Sequence, residues 1–410
     1  MLDIAFLRKN PDEVRKGIAA KNGDPKLVDR FLELDEKWRA LTKETEELRR
    51  EQKKLSQARK IQEATALKEK VQAKEDELKS IEREREEALR AMPNLPLPDV
   101  PRGKNAKDNV VVREAGKKPN FDFQPEDYLA IGERLHVVEV KRAAKVSGSR
   151  FGYLKREAAL MEFALVQFAF DTLSKEGFVP IVPPVLIEAK MMRGMGEVDE
   201  PKDVEEKYFI EKDELFLVGT SEQSVIPVHA DETLLELPHR HVAFSTCFRR
   251  EAGSYGKDTR GILRVHQFDK VEMLSMTRPE DSEKEHQLLL SLAEKLMQAL
   301  DIPYRVVQLC TGDLSRQSAK TYDIEAWLPG AGEYRETHSV SNTTDFQARR
   351  LGIKYGSEQG TGFEHVLNGT AFAIGRAIIA IIENHQQKDG SVKIPEALQK
   401  YMHGVKEIRR

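Results

Sequence analysis

Only two cysteines, Cys247 and Cys310, occur in 410 residues. Two thiols cannot form a disulfide framework, and no cluster of histidines sits beside them to complete a four-ligand zinc site. A reduced, cytoplasmic setting is therefore expected, without zinc. Long hydrophobic runs are missing as well. Nowhere do 18 apolar residues follow one another, and the opening MLDIAFLRKNPDE lacks the apolar stretch of a secretion signal. No membrane partner is expected. Aromatics are scarce at 7%, whereas 33% of residues are charged and almost cancel to a net −3. That mixture is too polar for a single globule and implies at least one long solvated segment. The length suffices for two or three domains with a sizeable core.

Glycine and proline are absent from residues 26 to 92. Within that stretch Leu27, Phe31, Leu34, Trp38, Leu41, Thr45, Leu48, Gln52 and Leu55 alternate spacings of four and three, the seam of a heptad repeat. A second seam runs through Leu67, Val71, Lys74, Leu78, Ile81, Arg85 and Ala88, poorer in apolar residues. Two such helices joined near residues 57–63 predict an antiparallel coiled-coil hairpin projecting ~40 Å at 1.5 Å per residue. From Arg49 to Lys74, nine basic residues stand against three acidic ones. A basic projection suits a phosphate backbone, although a solvated coil for protein contacts is the commoner use of such a sequence. Ahead of the hairpin, Met1 to Asp24 reads as a small helical start, with Asn10 as a cap, Pro11 in the first turn and Gly23-Asp24-Pro25 as its stop. Behind it, Pro93, Pro96, Pro98 and Pro101 form a stiff linker. The boundary falls near Gly103, giving domains 1–103 and 104–410.

After Ala106 short strands mix with helices, an α+β pattern. Phe151 to Lys175 and Asp281 to Leu300 read as helices, and Val366 to Ile382 as one almost wholly apolar helix whose single charge is Arg376. An arginine in such surroundings needs an anion, a carboxylate or a ring face. At the centre lies Val242 to Met276, two alternating strands around a glycine-bearing, charged loop. Arg249, Arg250 and Glu251 follow Phe248 directly, and Arg264 and Glu272 fall on the returning strand. Arginines that converge beside Gly253, Gly256 and Gly261 suit a polyphosphate, because a guanidinium forks onto phosphate oxygens. Phe268 offers a flat face for a base. A surface hairpin laced with salt bridges accounts for the same charges.

The string FRREAGSYGKDTRGILRVHQFDKVE, residues 248–272, resembles motif 2 of the class II aminoacyl-tRNA synthetases, and within them the seryl-tRNA synthetase family. Gly177, Phe178, Ile181, Pro184, Val185 and Leu186 resemble that class's motif 1, and the segment around Arg376 its motif 3. The resemblance implies an antiparallel sheet flanked by helices, preceded by the coiled-coil arm. It implies a homodimer in which motif 1 forms the interface and the arm of one subunit serves the other's active site. It also implies a reaction, in which serine is activated with ATP and passed to tRNA(Ser), with tRNA(Sec) as a further partner.

Site residues follow position by position. Arg249, Arg264 and Arg376 are given as catalytic. Arg249, Arg250, Glu251, Arg264, Val265, Phe268, Glu336, Thr337, His338, Ser339 and Arg376 are given to ATP, with Phe268 and Arg376 on either side of adenine. Thr220, Ser221, Glu222, Glu272 and Thr370 are given to serine, although a capping box at Thr220, Ser221 and Glu222 explains those three almost as well. Glu325 and Glu336, on neighbouring strands, are candidates for Mg²⁺, and the resemblance favours Glu336 with Ser339. For tRNA it gives Arg49, Arg50, Lys53, Lys54, Arg59 and Lys60 on the arm, and Lys257 and Arg260 in the loop. Ser221, Val340, Thr343 and Ser315-Arg316-Gln317 depart from the family's usual residues. Two rival functions remain: a relative that loads an amino acid on a carrier protein, and a catalytically silent paralogue that uses the coil as a scaffold. The first lacks the basic arm, and the second usually loses the motif 2 or 3 charges.

Overall fold

The computed structural model describes every residue except 200, 253–259 and 358–359, and the backbone alone at 201, 202 and 357. Gly253, Gly256 and Lys257 therefore lie outside the described residues. The chain divides into two compact units, Met1–Leu95 and Pro96–Arg410.

In the first unit, helices α1 (Lys26–Gln57) and α2 (Ile61–Arg90) pair along their length. The predicted seam is the buried one: Phe31, Leu34, Leu41, Thr45, Val71 and Ala88 are enclosed, and the intervening seam positions are half-buried. At 32 and 30 residues the helices are roughly 45 Å long. Two short helices, Ile4–Lys9 and Pro11–Ala20, precede them. Asn10 stands before the second but makes no capping bond, because its side-chain amide donates back to the Phe6 carbonyl at 3.2 Å.

One feature is contrary to simple patterning. Asp35 is completely buried within the coil. Arg8 forks onto it with two 2.8 Å bonds, Arg85 Nε donates at 2.8 Å, and Arg39 Nε lies at 3.2 Å. Arg85 occupies a seam position where an apolar residue is usual, and its guanidinium also covers the rings of Trp38 at 4.7 Å and Phe31 at 5.3 Å. A buried carboxylate is tolerated only with such partners.

The second unit is built on an eight-stranded sheet. In chain order its strands are β1 (Val110–Ala115), β2 (Val179–Ile181), β3 (His239–Phe248), β4 (Gln267–Thr277), β5 (Tyr304–Gln308), β6 (Lys320–Leu328), β7 (Glu333–Asn342) and β8 (His365–Ala373). Their spatial order is β1-β5-β6-β7-β8-β4-β3-β2. Every neighbouring pair is antiparallel except β2 on β3. Helices α3 (Glu157–Ser174), α4 (Ser282–Ala299) and α5 (Ile374–Asn384) share one core with sheet residues that include Val271, Met273, Ile324, Val340 and Phe372. Because side chains alternate along a strand, Glu272, Leu274 and Met276 turn to the opposite face, where Leu274 and Met276 pack on Val225, Ile226 and Leu351. That second face carries the site.

Three expectations need correction. The apolar run from Val366 to Ile382 is not one helix: β8 ends at Ala373 and α5 begins at Ile374. A central strand covered on both faces is as continuously apolar as a buried helix, so periodicity could not separate them. Gly369 in that strand lies so close to Val340, Met273 and Leu289 that a Cβ would sit 3.3–3.5 Å from each. The helix expected from Phe151 begins at Glu157, after Tyr153 and Leu154 pair with Val138 and Glu139. Arg264 and Val265 precede the returning strand, which starts at Gln267, and so lie in the connection.

Candidate active site

β3 and β4 form the predicted hairpin, in register from Phe248 opposite Gln267 to His239 opposite Met276. The connection between them is pinned at both ends. The Arg249 amide donates to the His266 carbonyl at 2.9 Å, and His266 Nδ1 hydrogen-bonds the Arg249 carbonyl at 2.9 Å. At the far end the Tyr128 hydroxyl accepts from the Ile262 amide at 2.8 Å, and it fills the space where a Cβ on Gly261 would stand, 1.8 Å away. Gly261 has φ +78, so this position requires glycine twice over. Arg260 beside it is exposed.

Two adjoining cavities open here. The narrower, of about 270 Å³, is lined by Arg249, Glu251, Arg264, Val265, Phe268, Glu336, Thr337, Ser339, Thr370 and Arg376 among others. The Arg249 guanidinium lies 5.3 Å from the Phe268 ring centre, a cation–π distance, and its Nε donates to the Gly219 carbonyl at 3.3 Å. Arg264 Nη1 pairs with Glu251 at 2.6 Å. Arg376, which needed a partner, finds it in Glu336: Nη1 lies 3.1 Å from the carboxylate and donates to the backbone carbonyl at 2.9 Å.

The wider cavity, about 530 Å³, shares Arg249, Glu251, Arg264, Lys270 and Ser339 with the first and adds Thr220, Glu222, Glu197, Gln317, Thr343 and Gln347. Burial pushes the Glu222 carboxyl up to about 7, while a 2.7 Å hydrogen bond from Gln347 Nε2 pulls the other way. The Gln347 side chain is itself fixed, because Thr343 Oγ1 donates to its oxygen at 3.0 Å. The departures at Thr343 and Gln317 thus acquire roles in this wall: Gln317 Nε2 donates to Glu197 Oε1 and to the Gly196 carbonyl, both at 2.9 Å. Thr220 Oγ1 and Ser221 Oγ are buried without a hydrogen-bond partner.

Glu272, 1% exposed, lines neither cavity, but Lys270, which lines both, has its Nζ 2.5 Å away. Burial raises its pKa against the pull of that lysine. Asp323, opposite Ser339 in the β6–β7 register, is pushed well above the ordinary carboxylate range by burial and then by the negative charge of Glu336. Sequence reading missed Lys270, Asp323, Glu197 and Gln347. Asp323 alone carried a signal, since it alternates with the apolar Tyr322, Ile324 and Ala326.

Other expected residues lie elsewhere. His338 is inside the core, bonded through Nε2 to the Ala371 carbonyl and through Nδ1 to Thr337, and burial lowers it to about 4. Alternation along β7 turns it away from the cavity that Thr337 and Ser339 line. Arg250 leans over the Tyr208 ring at 5.3 Å and lines neither cavity. Glu325 does face Glu336 across β6 and β7, but Arg305 holds its carboxylate. On the arm, Arg49 pairs with Glu75, Arg50 with Glu46 and Lys60 with Glu63, whereas Lys53, Lys54 and Arg59 are exposed.

Comparison with known proteins gives concordant matches. Residues 1–96 match the family model of the seryl-tRNA synthetase N-terminal domain, and residues 205–385 that of the class II tRNA synthetase core domain (G, H, P, S and T). A serine–tRNA ligase from Acidothermus cellulolyticus is 47% identical, over 98% of each chain. One from Dictyoglomus turgidum is 45% identical, over 100% of this chain and 99% of that one. The crystal structure of seryl-tRNA synthetase from Pyrococcus horikoshii complexed with ATP superimposes with a TM-score of 0.94 at 39% identity, covering 100% and 99%.

Proposed function

Because the chain belongs to the seryl-tRNA synthetase family of class II enzymes, we propose that the two adjoining cavities are its ATP and serine sites. The chain is an aminoacyl-tRNA synthetase that activates serine with ATP and transfers it to tRNA. The carrier-loading and silent-scaffold alternatives fall away, since the relatives match the basic arm and the core together. The observation that carries the site assignment is the continuity of the cavities through Arg249, Arg264 and Lys270.

In the first step a serine carboxylate oxygen attacks the α-phosphorus in line, the bond to the β-phosphate breaks, and pyrophosphate leaves. In the second, a hydroxyl at the 3′ end of the tRNA attacks the seryl carbonyl and AMP departs. Neither step needs a protein nucleophile. Positioning and charge stabilisation carry the rate. Arg249 meets the α-phosphate, and its stacking on Phe268 supports that role by fixing the guanidinium at the junction of the cavities. Arg264 reaches the γ-phosphate by leaving Glu251, which then serves adenine. Adenine slots between Phe268 and Arg376. Glu222 and Thr220 hold the serine end, where the unpartnered Thr220 hydroxyl awaits a polar ligand. Thr370, which lines the narrower cavity from β8, and Glu272, buried beside Lys270 on β4, are assigned to serine as well. Lys270, which holds Glu272, adds positive charge to the shared wall. A pocket with buried polar groups rejects alanine by leaving them unpaired.

Mg²⁺ fits the oxygen-only set of Glu336, Ser339 and Asp323, where two carboxylates stand together, Glu336 beside Arg376 and Asp323 buried opposite Ser339. Bound there, it would neutralise phosphate charge. Lys53, Lys54 and Arg59 near the tip of the arm, with Arg49, Arg50 and Lys60, grip tRNA(Ser) by its backbone. tRNA(Sec) is a second acceptor on the same grounds. The homodimer is proposed from motif 1: Val179 (57%) and Val182 (71%) at the sheet edge and Phe163 (67%) on α3 leave large apolar groups exposed. The proposed location is the cytoplasm, in keeping with the two free, buried cysteines.

The test is ATP–pyrophosphate exchange with serine, threonine, alanine and glycine, using the chain with and without residues 26–92. Exchange with serine alone, retained without the arm while tRNA charging is lost, supports the assignment. Exchange lost together with the arm would overturn the division of labour.

A further inference from the structure

Three histidines that the sequence keeps apart meet at the other end of β3. His239 and His241 are two residues apart on that strand and so share a face, and His229 ends the short helical turn Ile226–His229. One ring nitrogen from each lies within 4.8 Å of the others. The His229 ring centre is 5.5 Å from that of His239 and 6.5 Å from that of His241. Among the described residues this is the single grouping of three or more potential metal ligands of this kind. We propose that His229, His239 and His241 form a binding site for a divalent first-row transition ion of the zinc class, with a fourth position open to water.

Three observations converge on this site. Its donors are imidazoles alone, which suit zinc, nickel, copper and cobalt and give hard Mg²⁺ no oxygen to bind. His229 Nδ1 lies 2.8 Å from the Glu232 carboxylate, which fixes the proton on that nitrogen and leaves Nε2 for a metal. His241 Nδ1 is buried without a hydrogen-bond partner, a cost that a metal or a water on that ring would remove. Arg240, between the two, turns to the other face and is neutralised by Glu285 at 2.6 Å. Tetrahedral zinc with nitrogens at 2.0–2.1 Å needs them ~3.4 Å apart, against the 4.8 Å within which they lie here. The site clips the segment between His229 and His239 to the sheet. It is distinct from the ATP groove: His241 and Arg249 are eight residues apart on an extended path, roughly 26 Å.

The experiment titrates the chelator-stripped full-length chain with Co²⁺, reading the visible bands of four-coordinate cobalt, with Zn²⁺ and Mg²⁺ as competitors. One Co²⁺ per chain, displaced by Zn²⁺ and untouched by Mg²⁺, is expected. His239→Ala and His241→Ala should abolish the bands, Glu232→Gln should weaken binding about 10- to 100-fold, and the exposed His403→Ala should change nothing. Serine-dependent exchange in each variant reports that it has folded. Absent bands in the wild type, or bands that survive His239→Ala, overturn the proposal. Should the variants fail to fold, X-ray absorption of the zinc-loaded wild type decides: imidazole nitrogens in the first shell support it, and oxygen or sulfur alone overturns it.

Discussion

Gln347→Ala tests the serine pocket most directly, because Gln347 touches neither the arginines nor the phosphates in the proposed arrangement. It holds Glu222 through a 2.7 Å bond and is itself held by Thr343. A hydrogen bond to a charged group contributes ~1.5–3 kcal/mol, which at 1.4 kcal/mol per factor of ten predicts about a 10- to 100-fold fall in kcat/KM for serine. The sign of the pH effect follows as well. Glu222 titrates near 7 because burial outweighs the Gln347 bond, and losing that bond moves the group higher. Less of it is ionised at neutral pH, so the acid limb of the serine profile shifts to alkaline pH in the variant. Pyrophosphate exchange from pH 6 to 9 reads both effects, with KM for ATP as the internal control. Unchanged kcat/KM for serine and an unshifted limb would refute the reasoning. So would an equal loss for ATP, which would point to a collapsed wall rather than a mispositioned carboxylate.

Arg249→Ala removes the guanidinium stacked on Phe268 and should lower exchange by at least ~100-fold with the thermal transition kept; near-normal exchange would remove Arg249 from the mechanism. In the arm, Asp35→Ala leaves three arginines around an empty site and should destabilise the coil by ~3 kcal/mol, the low end for a broken buried pair because Arg8 and Arg39 are partly exposed. Burial opposes ionisation of Asp35, but the hydrogen bonds of Arg8 and Arg85 overcome it and hold the carboxyl below 3.8. A depressed carboxylate stabilises above its unfolded value, and that stability is lost as pH falls through the lower folded one. Helix content of the arm, followed by circular dichroism, should therefore drop in acid well below pH 4, and the variant should lack that transition.

The arm was legible because a heptad repeat is a property of spacing alone, and spacing survives in a string of letters. The same holds for the hairpin around residues 248–272, whose charges and glycines stand in one run. The split of residues 366–382 into β8 and α5 was hidden, since a strand covered on both faces and a buried helix are equally apolar. Burial of Asp35 was hidden too: its partners Arg8 and Arg85 lie 27 and 50 residues away.

By itself the sequence determined the two seams, the order of the motifs, the charges available to a polyphosphate, and the family. Tertiary structure alone decided which of those groups meet. Gln347 reaches Glu222 across 125 residues, Arg376 reaches Glu336 across 40, and His229 joins His239 and His241 only because the chain turns back after the helical turn Ile226–His229 and brings the start of β3 against it. Local periodicity is fixed by bond geometry and needs no partner to be read. A cross-strand contact depends on register, on which face a residue takes and on burial, and these exist only once the sheet has formed.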